Sequence, residues 1–381
     1  MKTLFLLCLS YLMSFYLYAN DDLKRGIDAF KTGDYQNAVK FYEKAAKAGD
    51  AIAQYRLGSA YHNGKGVTQN SLQAIKWYTE AANQDFPYAQ FLLGTASDFG
   101  DGVIEDPIKA FDWYKKSANQ GVAYAQWALA GAYKRGRGVS QNYEKAVEWY
   151  KKAAEQGIAE AQFHLGLAYE KGEGVTQSYK QAVFWNEKAA KQGYLASQYN
   201  LGNLYRDGKG VVQDYRKASD LYEQSAIKGL VDAQFALGMS YDLGQGVIQD
   251  YGKAAHWYKE AANKGKAEAN YNLGLMYDNG KFFKQDFKEA FVWYKKAADK
   301  GVVLAQYNVG TMYAMSKGVE QDYEKAYIWF SIAAASGHDG AKFNRDLAES
   351  FLSEQVLLSA KVKVSQLQYQ INSSQDTFNS I

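Results

Sequence analysis

Apolar and polar positions along the chain recur with two interleaved periods. The short one is helical: in residues 161–172, AQFHLGLAYEKG, Ala161, Leu165 and Tyr169 stand four apart on one face. The long one returns the whole pattern every 36 residues. Apolar-then-small pairs fall at Leu57-Gly58, Leu93-Gly94, Leu129-Ala130, Leu165-Gly166, Leu201-Gly202, Leu237-Gly238, Leu273-Gly274 and Val309-Gly310. A second column is alanine in every copy: Ala74, Ala110, Ala146, Ala182, Ala218, Ala254, Ala290 and Ala326. Three residues later stands tryptophan, at Trp77, Trp113, Trp149, Trp185, Trp257, Trp293 and Trp329, with Leu221 the exception. Such in-phase repetition predicts stacked units that bury one continuous core between them.

Each unit reads as two helices. Helix A is the stretch just quoted, and Gly172 supplies a residue able to take positive φ where it stops. Helix B is typified by residues 142–157, NYEKAVEWYKKAAEQG, with Asn142 as its N-cap. The counterparts of Asn142 are Asn70, Asp106, Ser178, Asp214, Asp250, Asp286 and Asp322, all side chains that can accept from free amides. Pro107 falls at a first helical position, where its missing N–H is no loss. Gly157 ends helix B, as do Gly121, Gly193, Gly229, Gly265, Gly301 and Gly337. The small residues let helices approach closely, and Trp and Tyr rings fill the space between units.

The ends differ. Residues 20–49 lack the Gly-x-Gly-Val insertion of the later units and read as an N-terminal cap; eight full repeats occupy 50–337. Residues 338–370 read as C-terminal capping helices, beginning with a ninth helix A (GAKFNRDLAES), and the polar tail 371–381 is expected to fray.

Composition narrows the picture. A hydrophobic fraction of 47% is ample for a packed core, and a net charge of +3 without a lysine-arginine block gives no reason to expect nucleic acid. Residues 1–19, MKTLFLLCLSYLMSFYLYA, place Lys2 before an apolar run and Ala19 shortly before Asp21 and Asp22, the layout of a secretory signal peptide. The alternative is a membrane anchor, because about 16 apolar residues approach a span. Cleavage after Ala19 is the preferred reading, although Leu17 is larger than usual at such a site. The one cysteine, Cys8, lies inside this segment, so the processed chain would have no disulfide, thiolate nucleophile or cysteine-based metal site. No integral membrane segment is expected after cleavage, and the location would be the periplasm or the cell exterior.

The repeated motif A-x-x-x-L-G-x-x-Y-x-x-G-x-G-V-x-x-D-Y-x-K-A-x-x-W-Y-x-K-A-A closely resembles the Sel1-like repeat, a relative of the tetratricopeptide (TPR) repeat, across residues 50–345. Residues 20–49 resemble a TPR unit. The resemblance implies an all-α protein, a right-handed α/α superhelical solenoid of helix-turn-helix repeats that serves as a scaffold for protein–protein contacts. Bacterial secreted members of this kind are often host-interaction or envelope factors. Two loops depart from the motif: residues 280–283 read GKFF, so Phe282 and Phe283 suggest another loop shape, and Ser316 replaces a loop glycine.

Chemistry would show as a break in the repeat. His62, His164 and His256 stand in different columns, and no two of the four histidines (His338 is the last) have metal-ligand spacing, so neither metal nor cofactor is expected. Some Sel1-like proteins are described as β-lactamases or penicillin binders, and this chain does contain Ser-x-x-Lys at Ser225–Lys228 and Lys-Thr-Gly at Lys31–Gly33. Ser225, however, occupies the column of Ala81, Ala153 and Ala189, and Lys228 shares its column with Lys264 and Lys300. The order along the chain is reversed and Ser-Asp-Asn is absent, so coincidence is the better account and an enzyme is not expected. Gly-x-Gly-Val recurs in six units, which makes it a turn and not a phosphate loop.

In TPR-like superhelices the A helices line the concave wall, so the informative positions are those that vary on helix A. One column reads Arg56, Leu92, Ala128, His164, Asn200, Ala236, Asn272, Asn308; the column three further includes Asn203. Asn200, Asn203, Asn272 and Asn308 would form a row of amides able to donate to and accept from the backbone of an extended peptide. Similar asparagines bind peptide backbones in TPR relatives. The alternative is that asparagine is merely tolerated there. Arg56, Arg135 and Lys171 would give the N-terminal half a basic lining, with His164 among them. The expected function is therefore an exported, non-enzymatic scaffold whose concave groove binds a protein or peptide; the rival is an envelope hydrolase, β-lactamase-like or acting on peptidoglycan. The sequence leaves oligomeric state open. Enlarging Ala146 to leucine should overpack the hairpin and cost about 1–3 kcal/mol, read as a lower urea midpoint at unchanged slope.

Overall fold

A computed structural model describes residues 21–379; the leader expected at 1–19 lies outside the described residues. The described chain is helical without strands and divides into two compact units, the first ending at Tyr194 and the second beginning at Leu195. The first holds α1 (residues 21–31), α2 (Tyr35–Lys47), α3 (Ala51–Asn63), α4 (Ser71–Asn83), α5 (Pro87–Phe99), α6 (Pro107–Asn119), α7 (Ala123–Arg135), α8 (Tyr143–Glu155), α9 (Ala159–Lys171) and α10 (Tyr179–Lys191). The second holds α11 (Leu195–Asp207), α12 (Tyr215–Ile227), α13 (Val231–Leu243), α14 (Tyr251–Asn263), α15 (Ala267–Asn279), α16 (Phe287–Ala298), α17 (Val303–Met315), α18 (Tyr323–Ala335), α19 (Asp339–Glu349) and α20 (Glu354–Asn379). Odd-numbered helices through α17 are A helices and even-numbered ones through α18 are B helices. Each packs on its sequence neighbours within its unit.

Local chemistry sets these lengths. Each expected N-cap of helix B accepts a backbone amide with its side chain, from Asn70 at Gln73 N to Asp322 at Lys325 N. Where their ends are described, the A helices α3 to α17 stop on a left-handed residue, as at Gly172 with φ 73°.

The A–B crossing within a repeat rests on a ring against a backbone. The buried aromatic column Tyr78, Tyr114, Tyr222, Tyr258, Tyr294 and Phe330 lies directly over Gly58, Gly94, Gly202, Gly238, Gly274 and Gly310. A methyl group on any of these glycines would fall 2.5–2.7 Å from its ring. The N-terminal unit does the same with Gly26 and Tyr42. Two repeats depart: Asn186 replaces the ring over Gly166, and Ala130 replaces the glycine opposite Tyr150.

Successive repeats of the first unit are joined by a glutamine ladder. Gln54, Gln90, Gln126 and Gln162 are at most 5% exposed. Their Nε2 groups donate back to the carbonyls of Ala46, Ala82, Ala118 and Ala154 in the preceding repeat, at 3.0–3.4 Å. Their Oε1 atoms accept from Gln84, Gln120, Gln156 and Gln192, each at 2.8 Å. Every rung thus adds a second donor to a helix-end carbonyl that already accepts a backbone amide, and satisfies both sides of a buried side-chain amide. In the second unit the donor column becomes lysine, and Lys264 and Lys300 reach past the ladder to the Gly229 and Gly265 carbonyls at 3.1 and 2.9 Å. The Oε1 atom of Gln234, whose counterpart in the donor column is Lys264, is then buried without a hydrogen-bond partner, as is that of Gln306, whose counterpart is Ser336.

Two loop expectations need correction. Phe282 (φ 67°) and Ser316 (φ 56°) take the same left-handed backbone as the glycines they replace, so neither loop changes shape. Phe282 is accommodated from across the gap: at Gly252, in the helix it faces, a Cβ would sit 3.0 Å from the Phe282 ring. Phe283 stacks on Tyr277 at 4.2 Å and takes the place of the usual valine. At the C-terminus α19 and α20 form the cap, with α20 against α18 and Lys363 paired to Glu324 at 2.6 Å. The helix runs on to Asn379, past residue 370 and into the segment expected to fray.

Replacing Gly238 by alanine should force the Tyr258 ring from its seat and destabilise the chain by about 1–3 kcal/mol, seen as a lower urea midpoint. Gly265→Ala, at a site with φ 97° but no protein atom nearer than the Lys300 amine at 3.6 Å, should cost less, through backbone strain alone.

Candidate functional site

The variable positions of the A helices lie partly exposed above the Gly–Tyr seam, and the buried rings set their surroundings. In the second unit the Tyr222 hydroxyl donates to Asn203 Oδ1 at 2.8 Å. Tyr258 and Tyr294 donate to the carboxylates of Asp242 and Asp278 at 3.3 and 3.2 Å, while Asn272 lies against Tyr258 and Asn308 against Tyr271 and Tyr294. Burial, reinforced by the adjacent carboxylates, pushes the Tyr258 and Tyr294 phenols well above their ordinary range, so they remain donors. The next repeat closes the network, with Lys317 Nζ 2.6 Å from Asp278 and Lys281 Nζ 3.6 Å from Asp242. Asn200, one turn before Asn203 on α11, is also half-buried. The amides are therefore seated by tyrosine hydroxyls, and an Asn carboxamide held at one atom still has others to offer.

The sequence singled out these asparagines but not what holds them. The Tyr-hydroxyl and Asp partners sit on the other helix of the hairpin or one residue type away in an adjacent column. Their signal was the recurrence of aspartate at Asp98, Asp242 and Asp278 in a column that otherwise varies.

In the first unit Arg56 lines a cavity of about 140 Å³ with Phe30, Tyr42, Tyr55, Ser59 and Asn63. Its Nε is buried without a hydrogen-bond partner, and the guanidinium lies beside the Tyr42 hydroxyl. His164 lies elsewhere in the same unit, in a larger cavity of about 240 Å³ built from α5 to α9. Its walls include Phe91, Phe99, Phe111, Tyr114, Trp127 and Tyr150. The imidazole stacks on Tyr150 with ring centres 5.1 Å apart, and its Nδ1 is buried without a hydrogen-bond partner. Burial first, then the nearby charges of Lys134 and Arg135, push its pKa down to about 4. Arg135 joins His164 at this cavity, whereas Lys171 pairs with Glu173 at 3.8 Å.

Nothing here supports a hydrolytic site. Ser225 is fully buried, and its hydroxyl donates to the Leu221 and Tyr222 carbonyls at 3.2 Å, so it packs as its column predicted. Thr32 of the Lys-Thr-Gly likewise donates back to Ala29 O at 2.9 Å in the first turn. Among the described residues no group of three or more His, Cys, Asp or Glu side chains could hold a metal ion. No helix among them is long and apolar enough to cross a membrane.

Paired helices stacked at a fixed repeat, with the working residues on one helix of each pair, define a helical repeat protein of the solenoid class. The family model for the Sel1 repeat matches nine consecutive segments, residues 11–50, 51–86, 87–122, 123–158, 159–194, 195–230, 231–266, 267–302 and 303–338. The chain belongs to the Sel1 repeat family, and the unit read as an N-terminal cap is counted among its repeats. Sel1 repeat proteins are generally protein-interaction scaffolds and typically not enzymes. Among solved structures, c5321, a protective antigen present in uropathogenic Escherichia coli strains and displaying an SLR fold, is 28% identical, with 96% of this chain and 97% of that one covered and a TM-score of 0.65. A Sel1 repeat protein from Oxalobacter formigenes is 32% identical over 81% of this chain and 89% of its own, with a TM-score of 0.63. No curated protein matches the chain.

The depressed His164 pKa has a measurable consequence. The unfolded chain takes up this proton near the ordinary value of 6.5, the folded chain only near about 4, so acidification through that interval favours unfolding. His164→Asn should remove a pH-dependent loss on the order of 2 kcal/mol between neutral pH and pH 4. Urea titrations of both proteins across that range check it. Parallel pH profiles would contradict the assignment.

Proposed function

We propose that this chain is an exported, non-enzymatic scaffold that binds a protein or peptide segment along its A-helix face. The observation that carries the reading is the row of half-buried amides, Asn203, Asn272 and Asn308, each seated by a buried tyrosine. A polar group held in place by the core loses little freedom when it meets a peptide backbone, which favours binding. Asn200 extends the row on α11. The family's general role as protein-interaction scaffolds supports the same reading.

Export is part of the proposal. The leader-like residues 1–19 and the absence of cysteine after them suit a periplasmic or extracellular protein. The similar E. coli protein is described as a protective antigen, which favours a host-interaction or envelope role for this chain. Fractionation of cells making the full chain, beside a version lacking residues 1–19, tests the location. Retention of both in the cytoplasm would refute it.

The binding test compares the chain from residue 20 onward with the triple variant Asn200→Ala, Asn272→Ala, Asn308→Ala, once circular dichroism shows equal folding. Cross-linking in envelope and host-cell lysates should give partners that the variant loses by about tenfold or more, the effect of several hydrogen bonds. Partners kept at full yield by the variant would move the interface off this face.

A further inference from the structure

The repeat of residues 123–158 differs from its neighbours beside the larger cavity, which its Gly131 and Arg135 help to line. Ala130 and Gly131 stand where neighbouring repeats have glycine and then a side chain such as Thr95 or Asn203. Lys134 stands in the column of Asp98, Asp242 and Asp278, and Arg135 follows it. In the repeats of Asp98, Asp242 and Asp278 the aspartate accepts from the seam tyrosine, as Asp98 does from Tyr114 at 3.4 Å. Tyr150 has no such acceptor: its column partner is a lysine, and its hydroxyl makes no hydrogen bond to the described residues.

The cations at this cavity divide in two. Arg137 is fully engaged, with Asp98 Oδ1 at 2.5 Å and Glu105 Oε1 at 2.7 Å. Arg135 has no carboxylate partner among the described residues. Its guanidinium folds over the bare Gly131, where a Cβ would sit 3.4 Å from its terminal nitrogens, and it lines the cavity together with Tyr150 and His164. Half-buried Lys134 adds a second positive charge nearby. The repeat thus offers its seam tyrosine no carboxylate of its own and presents cations and an unmet hydroxyl beside aromatic walls that enclose about 240 Å³, where the Asp98 carboxylate in the lining is already paired with Arg137. An anion with an apolar body complements that lining.

We propose that this cavity binds the free C-terminal carboxylate of a peptide ending in an apolar residue, with the carboxylate between Arg135 and the Tyr150 hydroxyl and the last side chain against Phe91, Phe99 and Trp127. A chain terminus fits because it carries carboxylate and side chain on one Cα, as a compact cavity with a cation facing rings requires. An internal acidic side chain would bring the charge without the apolar group. Guanidinium pairs well with carboxylate, and a charge-assisted bond beside aromatic walls is stronger than one in open water. The proposal rests on the reading of the A-helix face as a peptide-binding surface and names what one of its repeats recognises.

The probe is a fluorescein-labelled pentapeptide, Ala-Ala-Ala-Ala-Leu, as the free acid and as the C-terminal amide, titrated against the chain from residue 20 by fluorescence polarisation. The free acid should bind about tenfold or more tightly than the amide, and more tightly than a free acid ending in Asp. Arg135→Gln and Lys134→Asp should each remove that preference; Tyr150→Phe, which keeps the ring, should weaken it. No binding of the free acid, equal binding of acid and amide, or an unchanged preference in Arg135→Gln would overturn the site. Full competition by millimolar inorganic phosphate would also overturn it, because the cavity would then read charge alone. The triple asparagine variant separates the two ideas: partner loss there with no effect of Arg135→Gln leaves the scaffold reading standing and removes this one.

Discussion

A tyrosine ring resting on a glycine backbone is the contact on which everything else in this protein is built. It brings helix A and helix B closer than any side chain would permit, and it does so at the same point of most repeats. Burying a phenol there costs desolvation unless the hydroxyl reaches a partner, so the ring must point its oxygen toward the variable face of helix A. One packing choice therefore fixes both the hairpin geometry and the placement of polar groups at the surface. Core and candidate binding face are two ends of the same side chains.

Between repeats the first unit relies on a different device. Buried glutamines hand hydrogen bonds from one repeat to the next, each pairing with a helix-end carbonyl and with the glutamine of the following helix. The second unit replaces the outer glutamine with Lys264 and Lys300, which bond the next carbonyl, and with Ser336 at its last rung, and the buried oxygens of Gln234 and Gln306 are unmet. An unsatisfied buried acceptor is a local weakness, so opening fluctuations within the second unit should start at these rungs.

The helices, caps and turn glycines were legible in the sequence because each depends on a few adjacent residues. The asparagine column was legible too, as variation inside a constant frame. What seats those amides was not, because Tyr222 and Asn203 belong to different helices of a hairpin and meet only through the crossing angle. The Phe282 loop misled for a similar reason. Its composition argued for a new shape, yet the flanking helices hold its ends, and Gly252 on a neighbouring helix clears the room it needs. The cavity around His164 was visible only in part: Arg135 and His164 stood out as polar residues, while Lys134, in the column that holds Asp98, Asp242 and Asp278 in other repeats, shows its meaning only beside Tyr150.

The change of ladder has a bearing on how such a chain can lengthen. Repeats whose glutamine expects a glutamine at the following helix end can be duplicated among themselves without stranding an amide. A copy moved into the lysine-bearing stretch would meet the wrong donor at one junction. Tandem growth by unequal exchange is thereby constrained: copies made within one stretch keep their amides matched, whereas members of the two stretches are not interchangeable parts.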